Sequence, residues 1–65
     1  MEIKKIFDSG CGDGNCPTIY QTDRGTLLMQ GYVLSTEEKT KLNIAENEDI
    51  VEIPSDFLKS FLATI

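Results

Sequence analysis

The chain has 65 residues, of which 40% are hydrophobic and 26% are charged, and its formal net charge is −5. A chain this short buries only about 60% of its unfolded surface, so residues 1–65 are expected to form a single domain with little reserve of stability. It has no cluster of Lys and Arg, which disfavours binding to nucleic acid or to an anionic membrane surface. It also has no apolar run that resembles a targeting or membrane-spanning segment, so the sequence predicts a cytoplasmic protein.

The first half of the chain predicts three strands. Residues 2–7 form the first, and a glycine-rich loop over residues 8–14 follows it. Residues 17–22 form the second, with Pro17 at its start, where the missing N–H is tolerated. Residues 23–25 predict a tight turn closed by a left-handed Gly25. Residues 26–34 form the return strand, in which Gly31 indicates a bulge or a close backbone approach.

The second half contains clear helix signals. Ser35 and Glu38 have the spacing of a capping box, which marks the start of a short surface helix. Asn43 is placed to end that helix in the left-handed conformation. A turn over residues 46–49 and a strand over residues 50–53 come next, and Pro54 then begins a last helix. That helix carries an apolar stripe at helical spacing, formed by Phe57, Leu58, Phe61, Leu62 and Ile65.

These elements predict an α+β fold. The expected architecture is a small antiparallel sheet, built as a β-hairpin or meander, with one short surface helix and a C-terminal amphipathic helix that closes the core. The residues expected in the core are Ile3, Ile6, Ile19, Leu27, Met29, Val33, Leu42, Ile50, Ile53, Phe57, Leu58, Phe61 and Leu62.

The two cysteines, Cys11 in the glycine-rich loop and Cys16 just after it, are separated by four residues and form a disulfide or paired-thiol candidate. A disulfide would close a six-residue loop and contribute roughly 2 kcal/mol, whereas reduced thiols are the usual state in the cytosol. Zinc takes four ligands, so a metal site would need a second chain or help from Asp13. Redox catalysts of the thioredoxin type have two intervening residues and a following helix, which this chain lacks. No cofactor is predicted.

No catalytic residue is predicted either. The chain contains no histidine, which removes the usual Ser–His and Cys–His nucleophile pairs. The loop around Gly12 lacks the Gly-Lys-Ser/Thr ending of a phosphate-binding loop, and a strand rather than a helix follows it. The sequence therefore predicts a protein that is not an enzyme.

The sequence of the hairpin resembles that of a known group of proteins. The run Cys-Pro-Thr-Ile-Tyr-Gln-Thr-Asp-Arg-Gly-Thr at residues 16–26, together with Glu-Ile-Pro at 52–54, resembles a group of small bacterial proteins of actinobacterial type. That resemblance implies an accessory or regulatory role. Residues 31–34, 42–44 and 48–53 are also similar to AbrB/MazE-type swapped-hairpin domains, which implies an intertwined dimer. Asn43 stands where that family has glycine, and its basic DNA-facing positions are missing here.

The preferred hypothesis is a small acidic protein-interaction module with a regulatory role and a protein partner. Tyr20 and Arg24 are contact candidates because Tyr and Arg are enriched in binding hot spots. Glu46, Glu48 and Asp49 are candidates for attracting a basic partner. One alternative is a dimeric AbrB/MazE-like DNA-binding regulator or antitoxin. A second is a zinc- or redox-responsive switch through the two cysteines. The oligomeric state stays open at this level.

Overall fold

The computed structural model describes residues 1–10 and 16–65 and has the predicted α+β fold. Three strands form one antiparallel sheet in the order β1-β2-β3, here called sheet A, and two short strands pair as sheet B. In chain order the elements are β1 (Ile3–Asp8), β2 (Thr18–Thr22), β3 (Leu27–Gln30), β4 (Tyr32–Val33), α1 (Thr36–Lys39), β5 (Val51–Glu52) and α2 (Ser55–Leu62).

Sheet A is a meander whose central strand is β2. Ile19 lies opposite Phe7 on one side and Met29 on the other, so these three side chains share one face of the sheet. The register between β1 and β2 shifts between Lys5 and Phe7. A shift of this kind is a β-bulge, which bends the strand and changes the direction of the side chains that follow it. Here the strand end carries Phe7, which contacts α2.

The β2–β3 turn has the predicted left-handed glycine, since Gly25 has φ 76°. A buried Thr22 organises the turn. Its hydroxyl oxygen accepts hydrogen bonds from the backbone N–H groups of Arg24, at 3.2 Å, and Thr26, at 3.3 Å. The backbone N–H of Thr22 donates to the carbonyl oxygen of Thr26 at 3.0 Å. Local bonds around Thr22 therefore satisfy most of the polar groups of the turn, and the Asp23 N–H donates to the Glu2 carbonyl oxygen at 3.1 Å.

The return strand is interrupted at Gly31, as predicted, and it divides there into β3 and β4, which belong to different sheets. The cause is the close approach that the glycine indicated. A Cβ at this position would lie 2.7 Å from the Glu52 carbonyl oxygen and 2.8 Å from Cγ2 of Ile53. The absence of a side chain lets the chain pass against β5, where Tyr32 pairs with Glu52.

Helix α1 has the predicted capping box. Ser35 Oγ accepts from the Glu38 N–H at 3.1 Å, and Glu38 Oε1 accepts from the Ser35 N–H at 2.8 Å. The predicted left-handed end at Asn43 is wrong, because no non-glycine residue in the described part of the chain has a positive φ. The helix ends earlier, in a right-handed Thr40 whose hydroxyl donates to the carbonyl oxygen of Glu37 at 2.6 Å. This bond satisfies a terminal carbonyl without a left-handed residue.

The core lies between sheet A and α2 and is smaller than predicted. Phe7 packs against Phe57 and Phe61, with ring centroids 5.4 Å apart in both pairs. Ile19 and Phe57 are buried, and Ile53 and Phe61 are half-buried. An eight-residue helix covers only part of the sheet, so several residues of the expected core are instead exposed: Ile3, Ile6, Leu27, Met29, Val33, Leu42, Ile50, Leu58 and Leu62.

Candidate functional site

The two hairpin candidates have different environments. Tyr20 is half-buried on β2, and its hydroxyl donates to Oε1 of Gln30 on β3 at 3.0 Å. Tyr20 therefore already has a cross-strand partner for its polar atom. Arg24 lies at the tip of the turn and is exposed. Of these two residues, Arg24 presents more of its side chain to a partner.

The acidic candidates lie in the segment that connects α1 to β5. Residues 46 and 47 form a turn in which the Glu48 N–H donates to the Ala45 carbonyl oxygen at 3.0 Å. Glu46, Glu48 and Asp49 are all exposed. We call these three residues the acidic segment. Its three carboxylates therefore belong to one short, exposed stretch of backbone that contains a single turn.

Asp49 is the member of the acidic segment that the fold constrains most. Its Oδ1 lies 3.1 Å from Nζ of Lys39 and accepts from the Ile50 N–H at 2.7 Å. The hydrogen bond from Ile50 is the main cause that lowers the pKa of Asp49, and Lys39 adds to the effect. No ion pair involves Glu46 or Glu48 within residues 1–10 and 16–65. Their charges are therefore available to a partner.

Cys16 lies before β2, is half-buried and is disulfide-bonded. Cys11 and Asp13, the other members of the thiol and metal predictions, lie outside the described residues. Zinc is bound by a thiolate, and a disulfide sulfur does not supply one. Among the residues that the structure describes, no three Cys, Asp or Glu side chains are grouped to hold a metal ion. The pairing of Cys11 with Cys16 and the switch hypothesis stay predictions.

A cleft of about 400 Å³ lies beside Cys16 and was not expected from the sequence. Its apolar lining includes Phe7, Tyr32 and Phe57, and its polar lining includes Asp8 and Asp56. These residues come from β1, β4 and α2, which are far apart in the chain. No motif or spacing signals such a cleft, because only the packing of α2 against β1 creates it.

Asp8 at the edge of this cleft is already engaged. Its Oδ2 lies 2.9 Å from Nζ of Lys5, and its Oδ1 accepts from the Gly10 N–H at 2.9 Å. The bond to Lys5 is the main cause that lowers the pKa of Asp8 and, reciprocally, raises the pKa of Lys5. Both side chains are exposed, so solvent screens the pair and its contribution to stability is small.

Within residues 1–10 and 16–65, no hydrogen bond or ion pair joins the hairpin candidates to the acidic segment. The hairpin turn is bonded to β1 through the Asp23 N–H and the Glu2 carbonyl oxygen, whereas the acidic segment is bonded to α1. Across residues 1–10 and 16–65, no helix has both the length and the apolar character that a bilayer-spanning segment requires. No known protein family, curated protein or solved structure matches this chain.

Proposed function

We propose that this chain is a small acidic protein-interaction module with a regulatory role and no catalytic activity, and that the acidic segment binds a basic partner. The observation that carries the proposal is the exposure of Glu46, Glu48 and Asp49 on one turn-organised stretch of backbone. The net charge of −5 adds a long-range attraction for a cationic protein and raises the rate of encounter.

Glu46 and Glu48 make the principal contribution in this proposal. The charge of Asp49 is partly neutralised by Lys39, and its carboxylate also accepts a hydrogen bond from the Ile50 N–H. Asp49 therefore holds the segment in place more than it contacts a partner. Arg24 at the hairpin tip stays a contact candidate, but its positive charge does not attract a basic partner. Tyr20 is the weaker hairpin candidate because its hydroxyl already donates to Gln30.

The test uses a fluorescently labelled lysine-rich peptide as a defined basic probe, with binding followed by fluorescence anisotropy. The variant is Glu46→Gln/Glu48→Gln, which removes two charges and keeps side-chain size. The control is Glu2→Gln/Asp23→Asn, which removes two exposed charges outside the acidic segment, beside the hairpin turn, where the Asp23 N–H bonds the Glu2 carbonyl oxygen.

Exposed charge pairs contribute about 0.2–1 kcal/mol each, so the double variant is expected to weaken binding by about 2- to 30-fold. The control is expected to change it less than twofold, apart from the small effect of net charge. Binding should also weaken as salt is raised. Equal loss in the variant and the control would show a diffuse charge effect and would contradict a role for the acidic segment.

A further inference from the structure

The folded chain exposes much more surface than its mass predicts. Its accessible area is 5286 Å², whereas a folded monomer of this mass has about 4,100 Å² by the usual scaling. The excess is therefore about 1,200 Å². The radius of gyration is 13.3 Å, against about 11 Å for a compact chain of this length. Thirteen large apolar side chains among the described residues contribute to this area, since each of them is at least 37% exposed.

Part of this surface lies on α2. Phe57 and Phe61 face the core, whereas Leu58 is 38%, Leu62 is 56% and Ile65 is 85% exposed. The three exposed residues recur at i, i+4 and i+7, so they form one stripe along the helix and its C-terminal end, beside the two phenylalanines. This is the spacing with which helices pair with other helices.

The second part lies on sheet A. Met29 is opposite Ile19 and Leu27 is opposite Gln21, so both point to the face of the sheet that also carries Phe7. The rings of α2 contact Phe7 on β1, at one edge of the sheet. On β3, at the other edge, Leu27 stays 57% and Met29 41% exposed. We call Leu27, Met29, Leu58, Leu62 and Ile65 the open face.

We propose that a second copy of this chain covers the open face and forms a two-fold symmetric dimer. A stable interface of standard size buries about 800 Å² per partner, and the excess area of the whole chain is larger than this, at about 1,200 Å². A two-fold dimer pairs the same patch on both copies, so an apolar stripe meets an apolar stripe. The five residues of the open face include no charged side chain, so this face offers no ionic contact to a basic partner.

The dimer has a distinctive dependence on salt. Each copy carries a net charge of −5, so long-range repulsion opposes association and apolar burial must drive it. Added salt screens the repulsion and therefore strengthens the dimer, whereas it weakens the complex with a basic peptide. The open face is separate from the acidic segment, so this inference goes beyond the proposed function and can fail or hold independently of it.

Sedimentation velocity of the intact chain tests the proposal, from about 10 μM to about 1 mM protein, where mass action shifts a dimer equilibrium, and at about 50 mM and about 500 mM NaCl. The expected result is a species of twice the 7.2 kDa monomer mass, which becomes more populated at higher salt. A monomer under all these conditions would overturn the proposal.

Two variants locate the surface, and each changes an exposed side chain. Leu62→Lys alters α2 and Leu27→Lys alters sheet A, and each is expected to weaken the dimer at least about tenfold, as loss of a central apolar contact does. The control is Val33→Lys, which changes an 86% exposed apolar residue of sheet B outside the open face and should weaken the dimer less than about threefold. Circular dichroism confirms that each variant is folded.

Amide exchange of the wild-type chain gives a second readout that needs no variant. Protection of α2 and β3 should rise with protein concentration over the range in which the dimer forms. A dimer that persists in both leucine variants, dissociates in Val33→Lys, or protects β4 and β5 in place of α2 would overturn the assignment of the open face.

Discussion

Replacing Gly31 by alanine should force β4 and β5 apart within sheet B and destabilise the whole chain. The added Cβ would lie 2.7 Å from the Glu52 carbonyl oxygen, 2.8 Å from Cγ2 of Ile53 and 3.1 Å from Cγ2 of Val51. The nearest of these atoms belongs to the backbone of β5, so it cannot move away by a change of rotamer. The methyl group can be accommodated only if β4 and β5 move apart.

Overpacking of this kind costs about 1–3 kcal/mol. Alanine also lowers the conformational entropy of the unfolded chain, which offsets about 0.4–1 kcal/mol of this cost. The net loss is therefore about 1–2 kcal/mol, which is substantial for a chain whose total stability is of the order of 3–10 kcal/mol. Since a domain of this size loses about 4–8 °C of melting temperature per kcal/mol, the melting temperature should fall by about 5–15 °C.

The assay is thermal and urea denaturation followed by circular dichroism, at one fixed protein concentration because any self-association adds to apparent stability. Gly25 provides the matched control. Nothing lies within 4 Å of a Cβ at that position, and only its φ of 76° is restrictive. Gly25→Asn should therefore recover much of the loss caused by Gly25→Ala, because asparagine tolerates a left-handed backbone. Gly31→Asn should be at least as damaging as Gly31→Ala.

A Gly31→Ala chain with the melting temperature of the wild type, or a Gly31→Asn chain more stable than Gly31→Ala, would refute this reasoning. Amide exchange supplies a local check. In Gly31→Ala the amides of the Tyr32–Glu52 ladder should lose protection before those of β2 do, because the clash lies in sheet B.

Four further outcomes are expected. Phe57→Ala should cost about 3–5 kcal/mol and leave the chain largely unfolded at moderate urea, because the ring is 6% exposed and packs on Phe7; a loss below 1 kcal/mol would contradict its place in the core. Ser35→Ala should cost about 1 kcal/mol and unwind α1, as seen by amide exchange of Glu38. The hydrogen bond from the Ser35 backbone is the main cause that lowers the pKa of Glu38. The stabilisation from this bond is therefore complete above the ordinary carboxyl pKa and is lost as pH falls through the lowered value, which an NMR titration of α1 should show. Replacing both cysteines by serine should cost roughly 2 kcal/mol if Cys16 pairs within the chain; an unchanged urea midpoint would contradict that pairing.

Several features of the fold and the site could be read from neighbouring residues alone. The capping box needs only Ser35 and Glu38, three residues apart, and its two hydrogen bonds form as predicted. The left-handed turn needs only Gly25, because only glycine adopts that backbone conformation without steric cost. The exposure of the acidic segment follows from its charge, since burial of unpaired carboxylates is costly. Local hydrogen bonding and hydration decide all three features.

What the sequence could not determine depends on which elements meet. The stripe from Phe57 to Ile65 has the periodicity of a core helix, and nothing in that pattern distinguishes the buried Phe57 from Leu62, which stays 56% exposed. The difference arises because α2 packs on Phe7 at one edge of the sheet and leaves the other edge open. Periodicity reports that a face is apolar, but the area buried depends on the size and position of the partner surface. Only the tertiary structure therefore decided that the core is small and that the five residues of the open face are among the apolar side chains left exposed.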